Sequence, residues 1–140
     1  MYRKILVAIE NSNADRAVLQ HIESLSRLTG AALLLVHVAD GWAARHFDEL
    51  KLRESEEIKE DRAYLEQLCD AMNGKGMQCA ARLAMGDPAT ELVKVAEEEE
   101  VDLIAMSTHG HRFLQDLLRG STADRVRHGV TVPVLMVRAK

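Results

Sequence analysis

Apolar and polar positions alternate in blocks along this chain. Residues 4–9, Lys4-Ile5-Leu6-Val7-Ala8-Ile9, are almost continuously apolar, the pattern of a strand buried on both faces. A polar break follows, Glu10-Asn11-Ser12-Asn13. Beyond it Ala17, Val18, Leu19, Ile22, Leu25 and Leu28 recur at helical spacing up to Gly30, a residue suited to ending a helix. Residues 31–38 form a second apolar strand. Residues 44–72 are rich in Glu, Lys, Arg and Leu and predict one long helix, closed by Gly74 and Gly76. A third, weaker strand is expected over residues 77–85. Gly86-Asp87-Pro88 makes a turn with Pro at a helix start. The helix over residues 89–99 buries Leu92, Val93, Val95 and Ala96, and the run of four glutamates at 97–100 reads as its solvated end. Residues 102–106 predict a fourth strand. A helix over 122–128, ended by Gly129, and a fifth strand over 130–137 complete the chain.

Strands alternating with helices indicate βαβ units, hence an α/β fold with a doubly wound parallel sheet and helices on both faces. Ligands of such sheets bind beyond the carboxyl ends of the strands, where strand order reverses. The loops to watch therefore lie at residues 8–13, 38–41 and 107–121.

The last of these carries the most information. Ser107-Thr108-His109-Gly110, then nine residues, then Gly120-Ser121 follows the fourth strand and runs into Ser121-Thr122-Ala123-Asp124. A strand, a glycine-containing loop and a helix N-terminus are the parts of a phosphate cradle, because free N–H groups and the positive helix end both face an anion there. Glycine also lets the backbone approach a phosphate closely. Ser121 with Asp124 reads equally as a plain helix cap, which leaves the bracketing Gly110 and Gly120 unexplained. His109 reads as a polar loop anchor and His111 as a neighbour of the phosphates. A metal reading would need further ligands at suitable spacing, so no metal site is expected. Arg112, Arg119 and Arg125 could balance phosphate charge, and each is equally well explained as a surface arginine. Phe113, Leu114, Leu117 and Leu118 read as the packing face of a short helix within the loop. Glu10, after the first strand, either accepts a hydrogen bond from a ribose hydroxyl or remains a solvated carboxylate. Trp42 reads as packing at the start of the long helix.

Composition narrows the classes. A chain of 140 residues is expected to form a single domain over residues 1–140. A net charge of −4 provides no basic field for nucleic acid or anionic lipid. No apolar run approaches a membrane span, and the start Met1-Tyr2-Arg3-Lys4 leads into too short an apolar run for a signal peptide. Cys69 and Cys79 have neither metal nor disulfide-framework spacing; reduced thiols in or near the core, and a cytoplasmic location, are expected. No nucleophile–base constellation, G-x-S-x-G elbow, H-E-x-x-H pair or complete Walker A loop occurs. The chain is therefore expected to be no enzyme beyond a weak ATPase.

These segments together resemble the universal stress protein family over nearly the whole chain. The opening Tyr2-Arg3-Lys4-Ile5-Leu6-Val7-Ala8-Ile9 is similar to the family's first strand, and Leu34-Leu35-Val36-His37-Val38 to its second. Gly86-Asp87-Pro88-Ala89 with Val101-Asp102-Leu103-Ile104-Ala105-Met106 matches the crossover into the fourth strand. Gly120-Ser121 through Arg125-Val126, and Val132-Pro133-Val134-Leu135-Met136-Val137-Arg138, match the ending. The loop resembles the family's G-x-x-G-x9-G-[ST] motif, with Ser107 in place of the first glycine.

The resemblance implies a five-stranded sheet of order 3-2-1-4-5 and a homodimer formed through the last strand, residues 132–137, with Val132 and Val137 at its ends. It also implies binding of ATP, or of ADP or AMP, with Mg2+. On that pattern Ala8, Ile9 and Glu10 lie near the adenosine, Val38 meets the adenine through its backbone, and Met106 and Ser107 floor the pocket. Gly110, His111, Gly120, Ser121 and Thr122 hold the phosphates, with His109 and Arg112 beside them. Glu10 stands where the family commonly has Asp. Three function classes stay open: a nucleotide-binding stress or signalling module with little or slow hydrolysis, an ATP-hydrolysing or nucleotidyl-transferring enzyme, and a scaffold that binds partners but no nucleotide. The second would need a base or metal carboxylate near the phosphates, where only Asp116 and Asp124 occur. A receiver domain would need an acidic pair after the first strand and a late lysine, both absent.

Overall fold

The computed structural model describes residues 1–40, 47–108 and 122–139. In chain order it contains β1 (Lys4–Ala8), α1 (Asp15–Thr29), β2 (Ala32–Asp40), α2 (Phe47–Gly74), β3 (Cys79–Gly86), α3 (Pro88–Glu98), β4 (Leu103–Thr108), α4 (Thr122–Gly129) and β5 (Val134–Arg138). The strands form one parallel sheet of order β3-β2-β1-β4-β5. The expected fold class and strand order are both observed.

Side-chain alternation divides the core in two. Ile5, Val7, Leu33, Leu35, Leu103 and Ala105 pack with α1 and α2 on one face of the sheet. Leu6, Leu34, Val36, Ile104 and Met106 pack with α3 and α4 on the other. Runs apolar at successive positions are what a strand covered on both faces requires. α1 ends as expected: Gly30 adopts φ 75° and donates its N–H to the Ser26 carbonyl at 2.7 Å, a left-handed cap that costs glycine little. α3 is capped by Asp87, whose carboxylate accepts from the Thr90 N–H at 3.0 Å, with Pro88 in the first turn.

Element boundaries shift from expectation by up to four residues. β2 runs on to Asp40, paired with Gly86 of β3. β5 begins at Val134, four residues late. Pro133 has no N–H to give a ladder; it serves only as an acceptor, its carbonyl taking the Ile104 N–H at 3.1 Å. Val130 and Val132 still pack against the α3–α4 side of the core, from the turn before the strand. The expected helix start at residues 44–46, Trp42, and the short helix built on Phe113, Leu114, Leu117 and Leu118 lie outside the described residues.

Candidate functional site

Strand order fixes where a site can form. β1 sits between β2 and β4. The chain leaves β1 for α1 on one face, whereas beyond β4 it reaches α4 on the other. The helices on either side of this point lie on opposite faces, which makes the carboxyl ends of β1 and β4 the switch point of the doubly wound sheet, the place where such folds form a ligand crevice.

The turn after β1 is built around Asp15, which is only 1% exposed. Its carboxylate accepts three successive backbone N–H groups, from Glu10 at 2.8 Å, Asn11 at 2.8 Å and Ser12 at 3.1 Å. Asn11 turns the chain with φ 63°, a conformation that asparagine tolerates better than most residues. Consecutive N–H groups converging in this way form an anion nest, and here the chain's own carboxylate occupies it. A fourth donor comes from α2, the Tyr64 hydroxyl, at 2.8 Å. Burial first, then the Asp15 carboxylate, pushes the Tyr64 hydroxyl far above the ordinary phenol range, so it stays a donor.

A second tie lies beside the first. His37 Nδ1 contacts the Ile9 carbonyl at 2.8 Å, and its Nε2 faces Asp61 Oδ2 at 3.2 Å. A carbonyl only accepts, so Nδ1 carries a proton. Asp61 Oδ1 also accepts from Asn11 Nδ2 at 3.0 Å. Asp61 and Tyr64, three apart on α2, thus hold the β1–α1 turn from one helix face. Asp15, Tyr64, His37 and Asp61 were not among the residues picked out by sequence. A histidine inside the apolar run 31–38 was the one signal available.

Among the expected binding residues, Ala8 ends β1, half-buried against the α3–α4 side of the core, as is Val38. Met106 is buried in that same cluster. Ile9 is buried on the α1–α2 side, with its N–H donated to the Val36 carbonyl at 2.8 Å. The Glu10 side chain is exposed at the crevice, where Oε2 accepts from the Ser12 hydroxyl at 3.2 Å. Thr122 opens α4 half-buried. His109, Gly110, His111, Arg112, Gly120 and Ser121 lie outside the described residues, as do Asp116 and Arg119.

Ser107 stands apart. It lies within β4, and the non-glycine residues with positive φ among those described are Asn11 and Glu100. Serine therefore carries no left-handed strain where the family motif has glycine. It is 6% exposed, and its hydroxyl has no hydrogen-bond partner among the described residues. Such an orphan costs about 1–3 kcal/mol, a cost that a polar group entering the crevice would relieve.

Arg125 takes the surface-arginine alternative. It does not stand free to balance phosphate: Nη1 and Nη2 grip Asp87 at 3.0 and 2.7 Å, a two-pronged pair joining α4 to the cap of α3. This pair first, then the Thr90 hydrogen bonds, holds the Asp87 carboxyl far below the usual carboxylate range. Among the described residues no three His, Cys, Asp or Glu side chains gather to hold a metal.

The family model described as the universal stress protein family matches residues 1–138, and the chain belongs to that family. It is 29% identical to universal stress protein MJ0577 of Methanocaldococcus jannaschii, covering 100% of this chain and 97% of that one. It is 30% identical to universal stress protein YxiE of Bacillus subtilis, covering 99% of this chain and 100% of that one. A solved structure of MJ0577 superposes with a TM-score of 0.82 over 100% of this chain and 98% of that one, at 29% identity.

Proposed function

We propose that this protein binds an adenine nucleotide in the crevice beyond β1, β2 and β4, and acts as a dimeric stress-response or signalling module with little or slow hydrolysis. The observation that carries the reading is the buried, unpartnered Ser107 hydroxyl at the sheet's switch point. Among the described residues it is a polar atom without a partner, in the place where doubly wound sheets take ligands. The residues fit the ligand. Glu10 offers an exposed carboxylate for a ribose hydroxyl, and Ala8, Val38 and Met106 offer apolar surface. The sequence from His109 to Ser121, which carries Gly110 and Gly120 and leads into α4, would supply N–H groups for phosphates, with His111, Arg112 and Thr122 as the further candidates. Bound Mg2+ would neutralise phosphate charge. Two structures that share the fold were solved with such ligands: a universal stress protein in complex with cAMP, and one from Archaeoglobus fulgidus in complex with dAMP.

Mass spectrometry of the small molecule released from the purified protein by mild denaturation tests the reading. A near-stoichiometric adenine nucleotide in the wild type, absent from a folded Gly120→Val variant, is the expected result. Equal loading of both would remove the phosphates from this loop. A second reading, a scaffold acting through protein partners, is favoured by the nest after β1, whose N–H groups are already taken by Asp15. A protein that purifies empty and ignores added nucleotide would support that reading instead.

A further inference from the structure

Cys69, in the last two turns of α2, and Cys79, the first residue of β3, bring their Sγ atoms to 3.1 Å. Both are free thiols and they are the chain's only cysteines. Closing the gap by about 1 Å would convert the contact into a bond. The geometry is held from outside the sulfurs. Asn73, one turn along α2 from Cys69, donates from Nδ2 to the Cys79 carbonyl at 3.1 Å and accepts the Cys79 N–H at 3.0 Å. The helix that carries one thiol therefore grips the backbone that carries the other. An open cavity of about 270 Å³ reaches both residues, with Arg62, Glu66, Asp70 and Asn73 on its walls. Cys79 is half-buried and Cys69 is 6% exposed. A tetrahedral Zn2+ spreads its thiolates to about 3.8 Å, and no third ligand joins them among the described residues, so the pair suits a bond better than a metal.

We propose that Cys69 and Cys79 form a reversible oxidation site that takes a low-molecular-weight disulfide as its oxidant. Cys79, the more exposed thiol, gives its proton to solvent and attacks one sulfur of the small disulfide. That S–S bond breaks, and the departing thiolate takes up a proton. Cys69 then loses its proton, attacks the Cys79 sulfur and displaces the second small thiol. Two electrons and two protons pass from the protein dithiol to the small disulfide, and a Cys69–Cys79 bond remains. Burial pushes both thiols up, so thiolate is scarce at neutral pH and the exchange is slow there. The same burial denies the reduced pair any thiolate stabilisation, which favours the disulfide once formed. The bond would fasten the end of α2 to an edge strand, at the opposite end of the sheet from the crevice. The inference is therefore independent of nucleotide binding.

The test uses the full-length reduced protein, oxidised glutathione as the probe, and intact mass with non-reducing peptide mapping as the readout. The expected product is lighter by about 2 Da, carries a Cys69–Cys79 peptide, and is restored by dithiothreitol. Its rate of formation should rise about tenfold per pH unit through neutral pH. Cys69→Ser should instead stop at a glutathione mixed disulfide on Cys79. Wild-type protein that keeps both thiols after long exposure, stops at a mixed disulfide, or cross-links only between chains would overturn the proposal. The wild-type result decides the matter even if the variant does not fold.

Discussion

Single atoms at the strand ends carry the most direct predictions. Ser107→Ala removes a buried hydroxyl that pairs with nothing described. The empty protein should therefore gain about 1 kcal/mol in urea unfolding. The same change should weaken nucleotide affinity by about fivefold to tenfold, because the entering polar group loses its partner. A variant that is destabilised, or that binds as well as wild type, would break the link between the orphan and the ligand. Asp15→Ala should cost about 3 kcal/mol, since it removes the shared acceptor of three part-buried N–H groups and the Tyr64 hydroxyl together. Denaturant titration measures it, and a cost below about 1 kcal/mol would mean that water replaces the carboxylate. Glu10 and Ser107 were singled out in sequence because they follow apolar runs at the switch point. Asp15 was not, because an acidic residue in a first helical turn ordinarily needs no explanation beyond the helix dipole.

At the scale of elements, legibility followed burial. β1, β2 and β4 stand out in sequence because each is apolar on both faces, the edge strands β3 and β5 less so because they are only half-buried, and helical periodicity marked α1 and α3. β5 was begun too early because Val130 and Val132 are core residues without being strand residues. α2 was visible as a helix, but its work was not. Asp61 and Tyr64 meet Asn11, His37 and Asp15 across 24 to 50 positions of sequence, contacts that only the topology supplies. The joint between α3 and α4 yields a pH prediction. The folded carboxyl of Asp87 sits below its unfolded value, so its contribution is fully present above the unfolded pKa of about 4 and is lost as pH falls further. Asp87→Asn should flatten stability below about pH 4 while keeping much of the helix cap. Urea midpoints between neutral and acid pH measure this. An unchanged acid limb would show that other carboxylates govern it.

For the whole molecule, order β3-β2-β1-β4-β5 leaves β5 as an edge, with Met136 exposed at 38%. An apolar edge strand is ordinarily covered or paired, which is the ground for the proposed dimer contact there. Val134 packs against the core, so a charge at that position would test folding as much as assembly. Met136→Asp is the cleaner probe: sedimentation velocity should show a folded monomer where wild type sediments as a dimer. A Met136→Asp protein that still sediments as a dimer would move the contact elsewhere. Among the described residues no helix is long and apolar enough to cross a membrane. The central claim, a nucleotide in the crevice, meets its most direct test in calorimetric titration of the empty protein with Mg-ATP, ADP and AMP. We predict saturable binding of an adenine nucleotide at about one per chain, weakened in Ser107→Ala. A folded wild-type protein that gives no binding heat at several temperatures and retains none of the three on equilibrium dialysis would contradict the account.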